Sequence, residues 1–289
     1  MTFIDRGKGS PLVLIPGIQG RWEYLEPAID ALAESFRVLT FPLSGEQGCE
    51  AAVDSTIGMD NDMHQAEVVL DRLGIRRATI CGISFGGLPA IRFAAMHPER
   101  TSALVLVSTP GPGWRLRPRH RFYARWPRLF GPLFLAESPF RLRAELVAAL
   151  PTLGARWRFA RWQLGTLIRA PLSLGRMATR AALMSSVDLV DDCARITAPT
   201  LVVAGEHELD RVLRVEGTPA YVKLISGARS VVLERTGHLG SVTRPEAFAS
   251  IVGDFLRHPC GAGVRACDRE RKAEALRHTS DAATLDASL

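Results

Sequence analysis

The sequence lacks any apolar run long enough to cross a membrane as a helix. No segment of its 289 residues approaches the roughly 18 uninterrupted apolar residues that such a helix needs. The amino terminus also lacks the charged start and following apolar stretch that are typical of a secretory signal. We therefore expect a cytoplasmic protein without a transmembrane segment.

Cysteine is scarce, and the five cysteines are scattered along the chain. An odd, scattered set in a chain without a signal argues against a framework of disulfides. Cys260 and Cys267 lie close together beside His258, but their spacing matches no zinc pattern. We expect free thiols, no metal and no organic cofactor.

Lysine is scarcer still, with three residues in the whole chain. Positive charge is instead concentrated in residues 114–180, where 14 arginines accompany only Glu137 and Glu145. That segment carries a net charge of +12, against +6 for the chain, so the remainder is acidic. Such polarity predicts a solvated face, or a face that contacts an anionic substrate or an anionic surface. No recognition module for nucleic acid accompanies it, so nucleic-acid binding is not expected.

Internal repeats are absent, and strand-like and helix-like segments alternate along the chain. Buried strands are indicated by short apolar runs, and helices by apolar residues at helical spacing. This alternation predicts an α/β protein with a mostly parallel central sheet flanked by helices. The predicted strands are 11–15, 36–41, 78–81, 103–108, 200–204 and 230–233, and the later predicted helices are 62–73, 88–96, 220–225 and 245–256.

The alternation breaks after Pro110 and resumes only at Thr200. We interpret residues 1–110 and 196–257 as the core, 111–195 as a helical cap, and 258–289 as a polar, flexible tail with a short helix near 268–277. The cap contains four tryptophans, which either line an apolar pocket or pack the cap onto the core. They are Trp114, Trp126, Trp157 and Trp162.

The motif Gly-Ile-Ser-Phe-Gly at 82–86 stands between a predicted strand and a helix of small residues. A serine in so sharp a turn adopts a strained backbone, and its neighbours two positions away must be small because other backbone comes close. The helix that follows favours developing negative charge at its amino end. Ser84 is therefore the predicted nucleophile, and the Phe85 N–H is a predicted oxyanion donor.

A serine nucleophile needs a base, and His238 fits that role. It follows the predicted strand 230–233, at the edge of a parallel sheet where sites form. The other six histidines come earlier in the chain, lie in the predicted cap, share the loop of the acid, or fall in or near the tail. The base in turn needs an orienting carboxylate.

Two carboxylates compete for that role in the loop after strand 200–204. Asp210 is favoured, Glu208 is the alternative, and Glu206 is a more distant one. Spacing alone does not exclude any of them.

These motifs together resemble the α/β-hydrolase superfamily over residues 10–256. The resemblance implies that the Ile18 N–H, after Pro16-Gly17, is a second oxyanion donor. It also favours Asp210, because Asp-Arg-Val-Leu is similar to a run that follows the acid strand in many members. The chain departs from the family in having no aspartate in the loop at 41–45 and little room for the usual amino-terminal hairpin. The serine argues against the aspartate-dependent epoxide hydrolases and haloalkane dehalogenases.

The sequence thus predicts a serine hydrolase that cleaves a carboxylic ester, a lactone or a thioester through a Ser-His-Asp triad and an acyl-enzyme. The expected substrate is a small molecule with an apolar acyl or alkyl part. Two alternatives remain open: an acyltransferase on the same triad, and a ligand-binding protein of the same fold with weak catalysis.

Overall fold

A computed structural model describes residues 3–49, 58–213 and 218–258 of the chain. Its centre is one seven-stranded sheet in the order β1-β3-β2-β4-β5-β6-β7. The strands are β1 (Ile4–Arg6), β2 (Ser10–Ile15), β3 (Phe36–Thr40), β4 (Ala78–Ile83), β5 (Thr101–Val107), β6 (Thr200–Ala204) and β7 (Arg229–Val232). Only β1 runs antiparallel to its neighbour, so the predicted mostly parallel sheet is confirmed.

The central strands are apolar on both faces because helices cover both. In β2, Val13 and Ile15 belong to one apolar cluster, whereas Leu12 and Leu14 belong to the other. This is the pattern that a doubly covered parallel sheet requires. The edge strand β1 has only three residues and pairs antiparallel with β3.

Helices flank the sheet on its two faces. One face holds α1 (Glu26–Ala33), α11 (Gly240–Thr243) and α12 (Pro245–Arg257), which pack on one another. The other holds α2 (Asp60–Arg72), α3 (Gly87–Met96), α9 (Val190–Arg195) and α10 (Thr218–Leu224). The small residues of α3 let it lie directly against β4 and β5, and this contact fixes the turn before it.

Five further helices lie between β5 and α9, in the segment predicted to be a cap. They are α4 (Pro118–Arg125), α5 (Pro127–Ala136), α6 (Ser138–Ala149), α7 (Leu153–Arg169) and α8 (Leu174–Ser186). Helices α4 and α5 pack on α8, α6 reaches α11, and α7 contacts the 3₁₀ turn Trp22–Leu25. The hydroxyl of Tyr24 in that turn donates to the carbonyl of Ala170 at 2.7 Å. The division into core and cap domains stays a prediction.

The four cap tryptophans divide into two pairs. Trp114 and Trp162 pack against the two apolar clusters of the core, whereas Trp126 and Trp157 are exposed. The predicted tail, including its short helix, lies outside the described residues apart from His258. Within the described ranges, no helix combines the length and apolar character needed to span a bilayer.

Candidate active site

Ser84 lies in the sharp turn between β4 and α3, with φ of 53°. Left-handed backbone of this kind is strained for a residue with a side chain. The two glycines of the motif make the turn possible. A Cβ on Gly82 would lie 2.5 Å from the Cα of Gly87, and one on Gly86 would lie 2.5 Å from the carbonyl oxygen of Pro16. Neither position accepts a side chain without displacing backbone.

The loop after β2 runs beside this turn. A Cβ on Gly17 would stand 3.5 Å from the Cβ of Ser84, which places the next residue, Ile18, near the serine. The N–H of Ile18 donates to no acceptor within the described ranges. Phe85 is fully buried and opens the helical turn after the serine, where N–H groups lack partners from the preceding turn.

His238 lies in the loop between β7 and α11, and its Nε2 is 3.1 Å from the Oγ of Ser84. Glycines let this loop pack tightly on the loop that follows β6. A Cβ on Gly205 would lie 2.5 Å from the carbonyl oxygen of Thr236, and one on Gly237 would lie 2.6 Å from the carbonyl carbon of Leu209. The two loops are therefore held together by backbone contact, which fixes the histidine in place.

Asp210 is buried on the loop after β6. Its Oδ1 accepts hydrogen bonds from the backbone N–H groups of Val212 and Leu213, at 2.9 and 3.0 Å. Its Oδ2 lies 3.4 Å from Nδ1 of His238, and neither atom has a hydrogen-bond partner elsewhere in the described structure. Glu208, the competing carboxylate, is exposed.

The ionisations of Asp210 and His238 are coupled. Burial would raise the pKa of Asp210, but the hydrogen bond and charge of His238 and the two N–H groups outweigh it and lower that pKa. Burial would likewise lower the pKa of His238, yet the hydrogen bond and charge of Asp210 outweigh it and raise that pKa. The pair is thus arranged to stabilise a protonated imidazole beside a carboxylate.

A third carboxylate, Glu145 of α6, reaches the same loop and was not predicted as a site residue. Its Oε1 accepts a hydrogen bond of 2.6 Å from the backbone N–H of Leu239, the residue after His238. The side chain is fully buried, its Oε2 has no hydrogen-bond partner among the described residues, and burial raises its pKa. Only its setting in an arginine-rich segment distinguished it in the sequence.

Arg180 of α8 is also buried, and it fixes the loop that carries Ile18. Its Nη1 donates to the carbonyl of Ile18 at 3.1 Å and to Oε1 of Glu46 at 2.8 Å. Its Nη2 donates to the carbonyl of Ser44 at 3.0 Å. Gly20, with φ of 72°, leaves the space that this guanidinium occupies.

Ser84 is 8% exposed, so its side chain is nearly closed off from solvent. Ile18 of the neighbouring loop packs against an apolar cluster that Trp114, Leu183 and Met184 also join. No group of three or more histidine, cysteine, aspartate or glutamate side chains within the described ranges is arranged to hold a metal ion.

A family model described as the alpha/beta hydrolase family matches residues 12–251, most of the chain. The chain belongs to the alpha/beta hydrolase family. The resemblance drawn from the motifs is thereby confirmed, as are the fold class and the assignment as a hydrolase.

The relatives of this chain are named for different substrates. The chain is 28% identical over 274 residues to a 2-hydroxymuconate semialdehyde hydrolase from Pseudomonas sp. (strain CF600), covering 90% of this chain and 91% of that protein. It is 26% identical over 259 residues to a pimeloyl-[acyl-carrier protein] methyl ester esterase from Aeromonas hydrophila subsp. hydrophila, covering 86% and 96%. The fold is similar to the crystal structure of an enol-lactonase from Burkholderia xenovorans LB400, with a TM-score of 0.72, 23% identity, and coverage of 89% and 96%.

Proposed function

We propose that this α/β hydrolase cleaves a carboxylic ester, a lactone or a thioester, with Ser84 as nucleophile, His238 as base and Asp210 as the orienting acid. One relationship carries the proposal: His238 lies within reach of Ser84 through Nε2 and of Asp210 through Nδ1. This chain of contacts is what a serine needs to act as a nucleophile at neutral pH.

In the first step, Nε2 of His238 takes the proton of the Ser84 hydroxyl while Oγ attacks the carbonyl carbon of the substrate. The carbonyl electron pair moves to its oxygen, and the N–H groups of Ile18 and Phe85 stabilise the resulting oxyanion. The positive imidazole is stabilised by Asp210. When the oxyanion collapses, the bond to the leaving group breaks and His238 donates its proton to that group.

In the second step, a water molecule attacks the acyl group on Ser84. His238 accepts a proton from the water, and the second oxyanion occupies the same position as the first. Its collapse releases the carboxylic acid and returns the proton to Oγ. Every proton in the cycle is carried by His238, so no cofactor is required.

The surroundings of Ser84 support a small substrate with an apolar acyl or alkyl part. The side chain of Ile18 packs among apolar side chains, and Ser84 is nearly closed off from solvent. An apolar group therefore gains free energy by leaving water for this space, at about 25 cal/mol for each Å² buried. Relatives named as a methyl ester esterase and as a semialdehyde hydrolase also support a substrate with a carbonyl group.

The first test is labelling of the purified protein with a fluorophosphonate, followed by mass spectrometry of its peptides. We expect a single adduct on Ser84, absent from Ser84→Ala and greatly slowed in His238→Gln. Glu208→Gln serves as a matched control, because its side chain is exposed, and should label at the normal rate. A folded protein that is not labelled, or that is labelled elsewhere, would contradict the proposal.

Ester hydrolysis then distinguishes the two alternatives left open by the sequence. A panel of p-nitrophenyl esters of increasing acyl length should give turnover that falls by roughly 10⁴-fold or more in Ser84→Ala. An acyltransferase would instead release product mainly when an alcohol or thiol acceptor is added. A ligand-binding protein would bind the esters without turnover.

A further inference from the structure

The outer face of α7 is apolar although no other part of the described chain covers it. Leu153, Trp157, Leu164 and Ile168 are 73%, 69%, 60% and 75% exposed. At 3.6 residues per turn these four side chains fall within about 60° of the helix circumference and extend over roughly 22 Å. We call them the α7 stripe. The opposite side of α7 carries Phe159 and Trp162, which pack on the core.

A helix with apolar side chains on both sides is unusual in a soluble protein, where the outward side is normally polar. The inward side of α7 already packs on the core through Phe159 and Trp162. Burial in the fold therefore does not account for the outward stripe. Exposed apolar patches of this kind mark surfaces that contact another molecule.

A second exposed apolar region begins close to the end of the stripe. A groove of about 640 Å³ separates the start of α5 from the loop between α7 and α8. Leu172 on that loop is four residues beyond Ile168 of the stripe, so the two regions adjoin along the chain. The groove is lined by Trp126, Leu129, Leu172 and Leu174, together with Arg125 and Arg128.

The helix and the groove both carry exposed arginines. Neither glutamate of residues 114–180 presents an unpaired negative charge at the surface, since Glu145 is buried and Glu137 pairs with Arg119. Four exposed arginines lie on α7 or at the groove and form no ion pair with an acidic residue of the described ranges. They are Arg158 and Arg161 on α7, and Arg125 and Arg128 at the groove.

From this combination we propose that α7 and the adjoining groove form a binding surface for anionic lipid bilayers. Arginines attract the negative headgroups, and the leucine, isoleucine and tryptophan side chains enter the boundary between headgroups and acyl chains. Tryptophan suits that boundary because its ring is amphipathic. The partner's negative charge complements the arginines, whereas a second copy of this chain would bring two arginine-rich faces together. This inference is independent of the catalytic proposal, because none of these residues touches Ser84 in the structure described.

The test is flotation of the full-length protein with vesicles. We expect binding to vesicles made equally of phosphatidylglycerol and phosphatidylcholine, and little binding to phosphatidylcholine alone. Raising the salt concentration should weaken the binding, since it screens exposed charges. Absence of binding to the anionic vesicles would overturn the proposal.

Two pairs of variants separate the apolar contribution from the charge. Leu164→Gln with Ile168→Gln should weaken binding by about tenfold or more, because two apolar side chains no longer leave water. Arg158→Glu with Arg161→Glu should weaken it by at least a similar factor, since each basic residue near an anionic surface contributes about 1 kcal/mol. Each change affects exposed side chains, so the variants should fold normally.

Matched controls make the same changes away from this surface. Val68→Gln with Val232→Gln alters two exposed apolar residues on α2 and β7, and Lys8→Glu with Arg76→Glu reverses two exposed charges. Both double variants should bind within about twofold of the wild type. Equal losses in test and control variants would contradict the proposal, as would binding that is unaffected by the Leu164 and Ile168 changes.

Sedimentation equilibrium without lipid tests the alternative that a second copy of this chain covers the surface. We expect a protein whose oligomeric state does not change in the Leu164→Gln, Ile168→Gln variant. A dimer that this variant dissociates, combined with no vesicle binding, would show that a second copy covers the surface and that the lipid proposal is wrong.

Discussion

The carboxylate of Glu145 accepts a hydrogen bond from the backbone N–H of Leu239, although 94 residues separate them in the chain. A second contact joins the same two regions, since the guanidinium of Arg235 donates to the carbonyl of Ala148 at 3.1 Å. Helix α6 is therefore attached on both sides of His238. We expect this attachment to position the histidine.

Replacing Glu145 by alanine should lower kcat/KM by about tenfold or more. The buried N–H of Leu239 would lose its acceptor, which costs about 1–3 kcal/mol, and the loop that carries His238 would relax. Glu145→Gln keeps an oxygen in the same place and should retain most of the activity. Steady-state kinetics with a preferred ester, together with thermal denaturation, checks both variants. Equal losses in the two would show that the acceptor oxygen is not what matters.

The same residue should make stability depend on pH. Burial raises the pKa of Glu145 above its value in the unfolded chain, so the folded protein holds the proton more tightly. As pH rises from about 4 through the folded pKa, the unfolded state loses its proton first, and stability falls. Glu145→Gln cannot ionise and should escape this fall. Urea denaturation over this pH range should show the variant gaining stability relative to the wild type; a constant difference would contradict the prediction.

Protonation of His238 should set the acid limb of the pH–activity profile. Because the pKa of His238 is raised, kcat/KM should rise with pH through a value above the usual 6.5 or so of an unperturbed histidine. Asp210→Asn removes the partner that raises it and should lower activity by roughly 10³–10⁴-fold. Glu208→Gln is the matched control, with no expected change. A Glu208 variant that loses activity while Asp210→Asn keeps it would reverse the assignment of the acid.

Gly86, in the turn that carries Ser84, should not tolerate even alanine. A Cβ on Gly86 would lie 2.5 Å from the carbonyl oxygen of Pro16, so Gly86→Ala must displace the backbone beside the site. We expect loss of labelling by the fluorophosphonate and a lower melting temperature. Gly165→Ala on α7 has open space around the new methyl group and should stabilise the protein by up to about 1 kcal/mol. Similar behaviour of the two variants would contradict the packing argument.

Arg180 and Glu46 form a buried ion pair beside the loop that carries Ile18. The stability that this pair contributes should depend on both side chains. Arg180→Met removes the nearer of the two cations that pair with buried Glu46, and Arg176 remains 3.0 Å from the same carboxylate oxygen. The loss of stability should therefore be below the roughly 3–5 kcal/mol of a fully broken buried pair. Adding Glu46→Gln should recover part of that loss, because no buried carboxylate remains. Denaturant unfolding of the wild type, the single variants and the double variant gives the coupling. Strictly additive losses would show that the two side chains act separately.

Much of the core could be predicted because its signals are local. Strand β6 was predicted with the bounds it has, since a short apolar run between Pro199 and Gly205 leaves little choice. The prediction ended β4 at Cys81, but the strand continues to Ile83 because Gly82 and Ile83 pair with Leu106 and Val107 of β5. Pairing between distant strands extends an element beyond its own sequence pattern.

Features that depend on distant contacts could not be predicted. The run Asp-Arg-Val-Leu favoured Asp210 without excluding Glu208, and only the fold shows that Asp210 is buried and Glu208 is exposed. Glu145 was one of two acids in a basic segment, and nothing near it indicated that it would reach Leu239. The exposure of the apolar side of α7 could not be predicted either, because apolar residues at helical spacing normally predict a buried face.

The left-handed backbone of Ser84 has a consequence for the evolution of the protein. Glycine adopts this conformation without the steric cost that a side chain incurs, so Ser84→Gly should give a more stable but inactive chain. Selection for thermal robustness alone would therefore favour glycine at this position. The proposed role of Ser84 as nucleophile gives a reason for a serine to stand there despite the strain.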